Sequence, residues 1–147
     1  MKSIFDESAY DEIKSRINQL NEYSEAQWGK MNVGQMVWHC QGPFNIMLQK
    51  EDYGLKPNLL AKVFFKKSLY NDKLWRKGLP TAKFLKPRED KNFNEEVGVL
   101  ETLVDETFSQ RDKTEWEPHP GFGYFTAQQW GQMQYKHLDH HLRQFGV

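Results

Sequence analysis

The chain has 147 residues, 38% of them hydrophobic and 14% aromatic, a length that suits one domain, residues 1–147, with a hydrophobic core of its own. Lys and Arg together equal Asp and Glu at 20 each, so no net charge draws the chain to nucleic acid or a membrane. The single cysteine excludes an internal disulfide framework, and the absence of a long apolar run or signal peptide predicts a soluble cytoplasmic protein.

The first predicted helix runs from about Ser8 to Tyr23, with Asp6 as its N-cap. Apolar side chains recur along it at helical spacing and define a buried stripe, made of Tyr10, Ile13, Ile17 and Leu20. Nothing on this helix suggests chemistry, and residues 24–30 are typical of a linker.

The second predicted helix spans Val33 to Gln49, with Asn32 as its N-cap. His39 lies on the margin of its apolar stripe, about 100° from the centre. Pro43 removes the backbone hydrogen bond to the His39 carbonyl and should bend the helix, which would aim the imidazole inward. Cys40 lies nearer the centre of the stripe, where a free thiol packs as a small hydrophobic group.

The connection formed by residues 50–93 is irregular and basic. Leu59 to Phe65 form a short helix or a buried turn, and prolines interrupt the rest. From Lys56 to Lys91 there are eleven Lys or Arg and three Asp or Glu, a net charge of +8, whereas the remainder of the chain carries −8. Such a segment can bind nucleic acid, hold an anionic small molecule or cover an acidic surface of its own protein. The last two are favoured, because no nucleic-acid motif is present.

The third long helix is predicted from Glu95 to Phe108, with Asn94 as its N-cap. Glu101 lies about 60° from the centre of the apolar stripe. It is therefore either an inward carboxylate that needs a partner or a surface residue. A turn-rich loop follows, in which His119 is a candidate general base or a structural residue.

The last predicted helix, Gln128 to Phe145, carries the strongest functional pattern. Thr126 and Gln129 form a capping box at its start. One stripe of this helix holds two imidazoles, in the order Trp130, Met133, His137, His141 and Phe145. Histidines four residues apart can bind one metal ion, but two core histidines bonded to backbone or water give the same pattern.

Strand-like alternation is nearly absent, and neither a glycine-rich phosphate loop nor a nucleophile elbow is present. Four amphipathic helices with a long crossover between the second and third predict an all-α protein, a four-helix bundle. Bundles of this type build metal sites from side chains on facing helices.

These residues carry a resemblance to a known superfamily. His39 in the second helix, together with His137 and His141 in the last, resembles the DinB/YfiT-like metalloenzymes. The segments His119 to Gly123 and Trp130 to Gly146 are similar to an uncharacterised branch of that superfamily. The resemblance implies an up-down-down-up bundle, commonly dimeric, that holds a divalent metal ion (Zn, Ni or Fe) with three histidines.

The predicted metal ligands are His39, His137 and His141. His137 and His141 straddle the centre of the stripe by about 20° each, whereas His140 lies about 80° away and is excluded. His39 is the only histidine on another predicted helix and is therefore the third ligand, with His119 in reserve.

The favoured function is a metal-dependent enzyme acting on a small molecule, because three imidazoles leave an ion one position for water or substrate. The resemblance implies thiol S-transfer, isomerisation or hydrolysis. His119 and Glu101 are the candidate catalytic residues, and Gln134 could orient a ligand. The expected partners are an anionic small molecule, a low-molecular-weight thiol and a second copy of the chain, without nucleic acid or membrane. A non-catalytic metal-binding or ligand-binding bundle and a nucleic-acid-associated protein are the alternatives.

Overall fold

A computed structural model describes residues 1–147. The protein is all-helical and has no β-strand, as predicted. Four long helices and one short helix make up the chain: α1 (Glu7–Ile17), α2 (Val33–Met47), α3 (Leu59–Phe64), α4 (Phe93–Ser109) and α5 (Ala127–Gln144). Two short 3₁₀ helices, Lys66–Leu69 and Lys83–Leu85, lie with α3 in the long connection between α2 and α4.

Two helix starts are fixed by capping boxes; the box at Thr126 was predicted, whereas at Asn32 only the cap was. The Asn32 side chain accepts a hydrogen bond from the Gln35 N–H, and the Gln35 side chain accepts one from the Asn32 N–H. Thr126 and Gln129 exchange the same two bonds at the start of α5. Each box satisfies two of the N–H groups that a helix start leaves without partners.

Other predicted boundaries were wrong. The first helix ends at Ile17 instead of Tyr23, because the N–H groups of Gln19 and Leu20 bond to carbonyls three residues back and tighten the chain into a turn. The Asp6 side chain does not cap it, since that carboxylate accepts the Ser3 N–H instead. The third long helix begins two residues early, at Phe93, because the Asn92 side chain caps it rather than Asn94. The second helix ends at Met47, two residues before the predicted Gln49.

The contacts between helices set their directions. Gly34 at the start of α2 lies against Lys91, just before α4; a Cβ atom at Gly34 would come within 2.1 Å of the Lys91 carbonyl oxygen. Lys50, just after α2, pairs with Glu106 near the end of α4, so α2 and α4 run in the same direction. Tyr10 and Lys14 of α1 pair with Asp105 and Glu101 of α4, so these two helices are antiparallel. Glu12 and Arg16 of α1 pair with Tyr135 and Asp139 of α5, so α1 and α5 run in one direction, opposite to α2 and α4.

The main hydrophobic core lies between the four long helices and includes the predicted stripe residues Ile13, Ile17, Val37 and Leu100. A second cluster joins the end of α2 to the first half of α5 through Met47, Phe125, Trp130 and Met133. None of the helices combines the length and the apolar character that crossing a membrane would require.

The connection between α2 and α4 packs partly over α5. Lys136, which is buried, donates hydrogen bonds from Nζ to the Ser68 carbonyl (2.7 Å), the Asn71 carbonyl (2.9 Å) and the Asn71 side chain (2.6 Å). Three oxygen partners satisfy all three donors of an ammonium group, which makes its burial tolerable. Burial lowers the pKa of Lys136 to about 8. This residue therefore ties the basic segment to the helix that carries the paired histidines.

Candidate metal centre

The antiparallel packing of α2 on α5 brings His39 opposite His137 and His141. One ring nitrogen from each lies within 4.8 Å of the corresponding nitrogens of the other two, and all three side chains are buried. The ring centroids are 4.6 to 4.9 Å apart. The two α5 histidines are one turn apart on the buried face, as the sequence predicts, and His39 faces them from α2.

His39 is oriented by the backbone of the basic connection. Its Nδ1 lies 2.8 Å from the Leu85 carbonyl oxygen, which can only accept, so Nδ1 carries the proton. Its Nε2 is then a bare acceptor and lies 3.0 Å from Nε2 of His137. Two nitrogens bound to one tetrahedral zinc ion at about 2.05 Å would be roughly 3.3 Å apart. The observed spacing is close to that of two ligands of one ion.

His141 is oriented in the same way by a side chain. Its Nδ1 lies 2.7 Å from Oε1 of Gln144, whose Nε2 donates to the Trp28 carbonyl at 2.7 Å. The bond to Trp28 fixes which end of the Gln144 amide is the acceptor, and therefore places the proton of His141 on Nδ1. Nε2 of His141 is left with a free lone pair. Outer hydrogen bonds of this kind hold the histidine ligands of metal sites in their tautomer and orientation.

The three imidazoles are neutral at physiological pH. Burial lowers the pKa of His39. Burial, together with the positive charge that each neighbour would acquire, lowers the pKa of His141 to about 3 and places that of His137 well below its usual range. A metal ligand must be the neutral form, so the cluster is held in the protonation state that binds metal.

Hydrogen bonding alone does not satisfy this cluster. At most one N–H···N bond can form between His39 and His137, and it leaves Nε2 of His141 without a partner. Nδ1 of His137 is buried without a hydrogen bond, and an ion bound at Nε2 would leave that nitrogen as it is. A divalent ion bound by the three Nε2 atoms would satisfy all three lone pairs, because imidazole nitrogen is a common ligand of such ions. The group could therefore hold a metal ion.

His140 stands beside the triad rather than within it, in agreement with its angular position on α5. Its ring lies between two tryptophans, with centroid distances of 6.0 Å to the Trp28 ring and 5.5 Å to the Trp75 ring. The Trp75 ring also packs against the His137 ring, with their centroids 6.0 Å apart. The Nε1–H of Trp75 donates to the Ser68 carbonyl. The basic connection thus covers the histidine cluster with an aromatic side chain.

His119, a predicted catalytic residue, lies apart from the triad. Its ring packs on Trp130, two turns of α5 before His137. Its Nδ1 accepts hydrogen bonds from the Gly121 N–H (3.0 Å) and the Phe122 N–H (3.2 Å). Burial and the nearby charge of Lys66 lower its pKa to about 4. This nitrogen is already engaged in closing a turn, which favours the structural interpretation over a general base.

Glu101 and Gln134 also have partners of their own. The Glu101 carboxylate lies 3.6 Å from Nζ of Lys14 on α1, so α1, and not the triad, supplies its charged partner. Gln134 is fully buried and donates to the Pro43 carbonyl at 2.9 Å, while its Oε1 has no partner. A catalytic role for Glu101 and an orienting role for Gln134 stay predictions.

Residues 4–146 match a family that is described as Protein of unknown function (DUF1569). The chain belongs to this family. The match covers all three histidines of the cluster and both of its outer hydrogen-bond partners. No curated protein and no solved structure is significantly similar to the chain.

Three residues around the triad of this DUF1569 protein were not predicted from the sequence. Gln144 could have been found, because it lies three residues after His141 on the same helix. Leu85 acts through its carbonyl oxygen, and no side-chain pattern reveals a backbone acceptor. Trp75 lies in the irregular connection, where nothing in the sequence indicates what it covers.

Proposed function

We propose that the protein is a divalent-metal-dependent enzyme that acts on a small molecule, with His39, His137 and His141 as the metal ligands. One observation carries the proposal: three buried, neutral imidazoles converge, and two of them have Nδ1 hydrogen-bonded so that Nε2 carries no proton. The directions of the four long helices support membership of the DinB/YfiT-like superfamily, with its up-down-down-up bundle. A cytoplasmic location and a homodimer stay predictions.

The donor set favours a catalytic centre over a structural one. Structural zinc sites use four protein ligands, whereas catalytic sites use three and keep a position for water or substrate. An ion bound here would lower the pKa of a coordinated water or thiol and so supply a nucleophile at neutral pH. Its identity is open among Zn, Ni and Fe, since imidazole nitrogen suits all three.

We favour thiol S-transfer over hydrolysis, on the resemblance alone. In that reaction the thiolate sulfur bonds to an electrophilic carbon, the leaving group departs with its electron pair, and the thiol proton passes to solvent. Both reactions use the same three-histidine platform, so the chain's own residues do not separate them.

The surroundings of the triad favour an anionic or aromatic substrate. Trp28 and Trp75 flank His140, and Nζ of Lys77 lies 4.4 Å from the centre of the Trp28 ring. The basic segment therefore supplies both the aromatic cover and a cation near the cluster. Charge reversal at Lys77 should raise KM for an anionic substrate, with less effect at high salt. A KM that is unchanged at low salt would contradict this assignment.

Metal analysis of protein purified without an affinity tag or added metal tests the proposal directly. We expect about one divalent ion per chain, given the single three-histidine group. The loaded protein would then be incubated with electrophiles, with and without a panel of low-molecular-weight thiols. Turnover that needs a thiol supports the transferase, and thiol-independent turnover supports the hydrolase. A protein that takes up neither Zn, Ni nor Fe would overturn the proposal.

A non-catalytic metal site is the second candidate, and the burial of the cluster favours it. The three histidines are only 3 to 7% exposed, with Trp75 packed against His137. A free coordination position can be recognised by exchange of an exogenous ligand: cobalt-substituted protein should change its visible spectrum when azide or a thiol is added, if the site is open. A cobalt spectrum that no added ligand alters would identify the closed, non-catalytic site.

A further inference from the structure

The helix α3 and the residues around it form an exposed apolar surface. Five apolar side chains within seven residues are between 62 and 74% exposed: Leu59, Leu60, Val63, Phe64 and Phe65. Tyr124, 60% exposed, lies beside them, because Nζ of Lys66 binds its carbonyl oxygen. We call these six residues the α3 patch. Apolar groups of this size are normally buried, and a contiguous exposed group marks an interaction surface.

The chain segment that carries the α3 patch is basic. Residues 53–71 contain four lysines, Lys56, Lys62, Lys66 and Lys67, and no Asp or Glu. Lys62 and Lys67 are exposed. An apolar surface with a basic border can bind both by hydrophobic burial and by electrostatic attraction. A partner with an anionic surface and an apolar interior uses both interactions.

The α3 patch is held in place. The Asn58 side chain caps α3 by accepting the Ala61 N–H at 2.9 Å, and the Asn58 N–H donates to the Gly121 carbonyl at 3.2 Å. After α3, the Ser68 carbonyl binds Nζ of Lys136 at 2.7 Å. The helix is thus bound to the body at both ends while its apolar side chains remain exposed, so docking would cost little ordering entropy.

We propose that the α3 patch binds the protein peripherally to the surface of an anionic lipid bilayer. Its leucines and phenylalanines would enter the boundary between headgroups and acyl chains, and its lysines would contact lipid phosphates. A second copy seated on the same patch fits less well, since a two-fold interface would bring the lysines of both copies together.

No membrane partner is expected from the sequence, because the chain has no long apolar run. Peripheral binding requires no such run, since only one face of a short segment enters the interface. What the sequence did not reveal is that the apolar residues of α3 stay outside the core. The proposal is independent of the metal centre and concerns a different surface.

Sedimentation of the full-length protein with vesicles tests the proposal. Vesicles of phosphatidylcholine with about one third phosphatidylserine should bind the protein at least about tenfold more strongly than pure phosphatidylcholine, and salt should weaken the binding. Replacing Phe64 and Phe65 by Ser should lower the bound fraction about tenfold or more, and so should Lys62→Glu with Lys67→Glu.

Matched controls lie elsewhere on the surface. Val99→Ser removes an exposed apolar side chain from α4, and Lys30→Glu reverses an exposed charge outside the patch. Both variants should bind vesicles as the wild type does. Failure of the wild type to sediment with the anionic vesicles would overturn the proposal. So would a wild-type dimer that the Phe64→Ser, Phe65→Ser variant converts to monomer, because the patch would then be an interface between copies.

Discussion

The molecule buries its histidines in two different ways. In the triad, Nδ1 of His39 and of His141 donates outward, to Leu85 and Gln144, and leaves an unprotonated Nε2 at the centre. At His119, Nδ1 accepts two backbone N–H groups, and the ring closes a turn. All are similarly buried, and burial lowers the pKa of each. Burial and a shifted pKa are therefore not enough to recognise a site; the direction of each hydrogen bond decides.

The largest effect is expected from removing one histidine of the triad. Replacing His137 by Ala should abolish tight metal binding, since two ligands cannot hold the ion as three do. The wild type should gain about 4 kcal/mol of stability at a metal concentration a thousand times Kd. The variant should gain almost none. Metal content and thermal unfolding with and without added zinc measure both quantities.

His140→Ala is the matched control for this experiment, because it truncates a buried histidine on the same helix that lies outside the triad. It should keep its metal and its metal-dependent stabilisation. A metal-free His140→Ala protein, or a fully loaded His39→Ala protein, would show that the ligand set is wrong.

The second prediction concerns the other kind of histidine. The unfolded chain binds a proton at His119 near pH 6.5, but the native chain does so only near pH 4. Stability should therefore fall as pH drops through this window, by roughly 3 kcal/mol from His119. His119→Asn keeps an acceptor for the two N–H groups and removes the titration. Urea unfolding at several pH values should show a smaller loss in the variant, with unchanged metal content.

Equal acid sensitivity in the wild type and in His119→Asn would contradict this account, because it would mean that native His119 is protonated as easily as unfolded His119. Loss of metal from the variant would instead bring His119 back as a ligand.

The third prediction tests the outer hydrogen bond of His141. Gln144→Leu removes the acceptor for Nδ1–H and should weaken metal binding about 10- to 100-fold. Gln144→Glu keeps the acceptor for Nδ1–H but loses the donor to the Trp28 carbonyl, so its metal affinity should lie between those of the Leu variant and the wild type. Competition with a chelator of known affinity measures both. Equal affinities for the Leu variant and the wild type would show that Gln144 does not orient the ligand.

The smallest effect is expected at Glu101. Glu101→Gln weakens a partly exposed ion pair with Lys14, and such pairs contribute about 0 to 1 kcal/mol. Metal content should not change. Because Glu101 is also a predicted catalytic residue, turnover of the loaded variant separates the two roles: a large fall in kcat with unchanged stability would favour catalysis.

Local patterns predicted the parts of the fold that local chemistry controls. The cap at Asn32 and the capping box at Thr126 were confirmed, because each depends only on residues three positions apart in the sequence. The predicted start of α4 was wrong because the cap is Asn92 and not Asn94. Asparagine is an equally good cap at either position, so only the packing of the helix decides between them. The end of α1 was wrong because Leu20 is buried without being helical.

The candidate site was predictable as far as helix geometry reaches. The spacing of His137 and His141 placed both on one face, and His39 was found as the facing histidine. The Leu85 carbonyl and the Trp75 ring come from an irregular segment whose path depends on tertiary contacts such as the one with Lys136. The exposure of α3 was also hidden, since apolar side chains normally indicate burial.

The separation of His39 from His137 along the chain has a consequence for the unfolded protein. The two rings meet although 98 positions separate them in the sequence. An ion held between them would link parts of the native chain that unfolding separates, so unfolding would release the ion and the stabilisation would depend on the free metal concentration. A chain with a single cysteine would in this way have a removable cross-link, which chelation opens and metal closes.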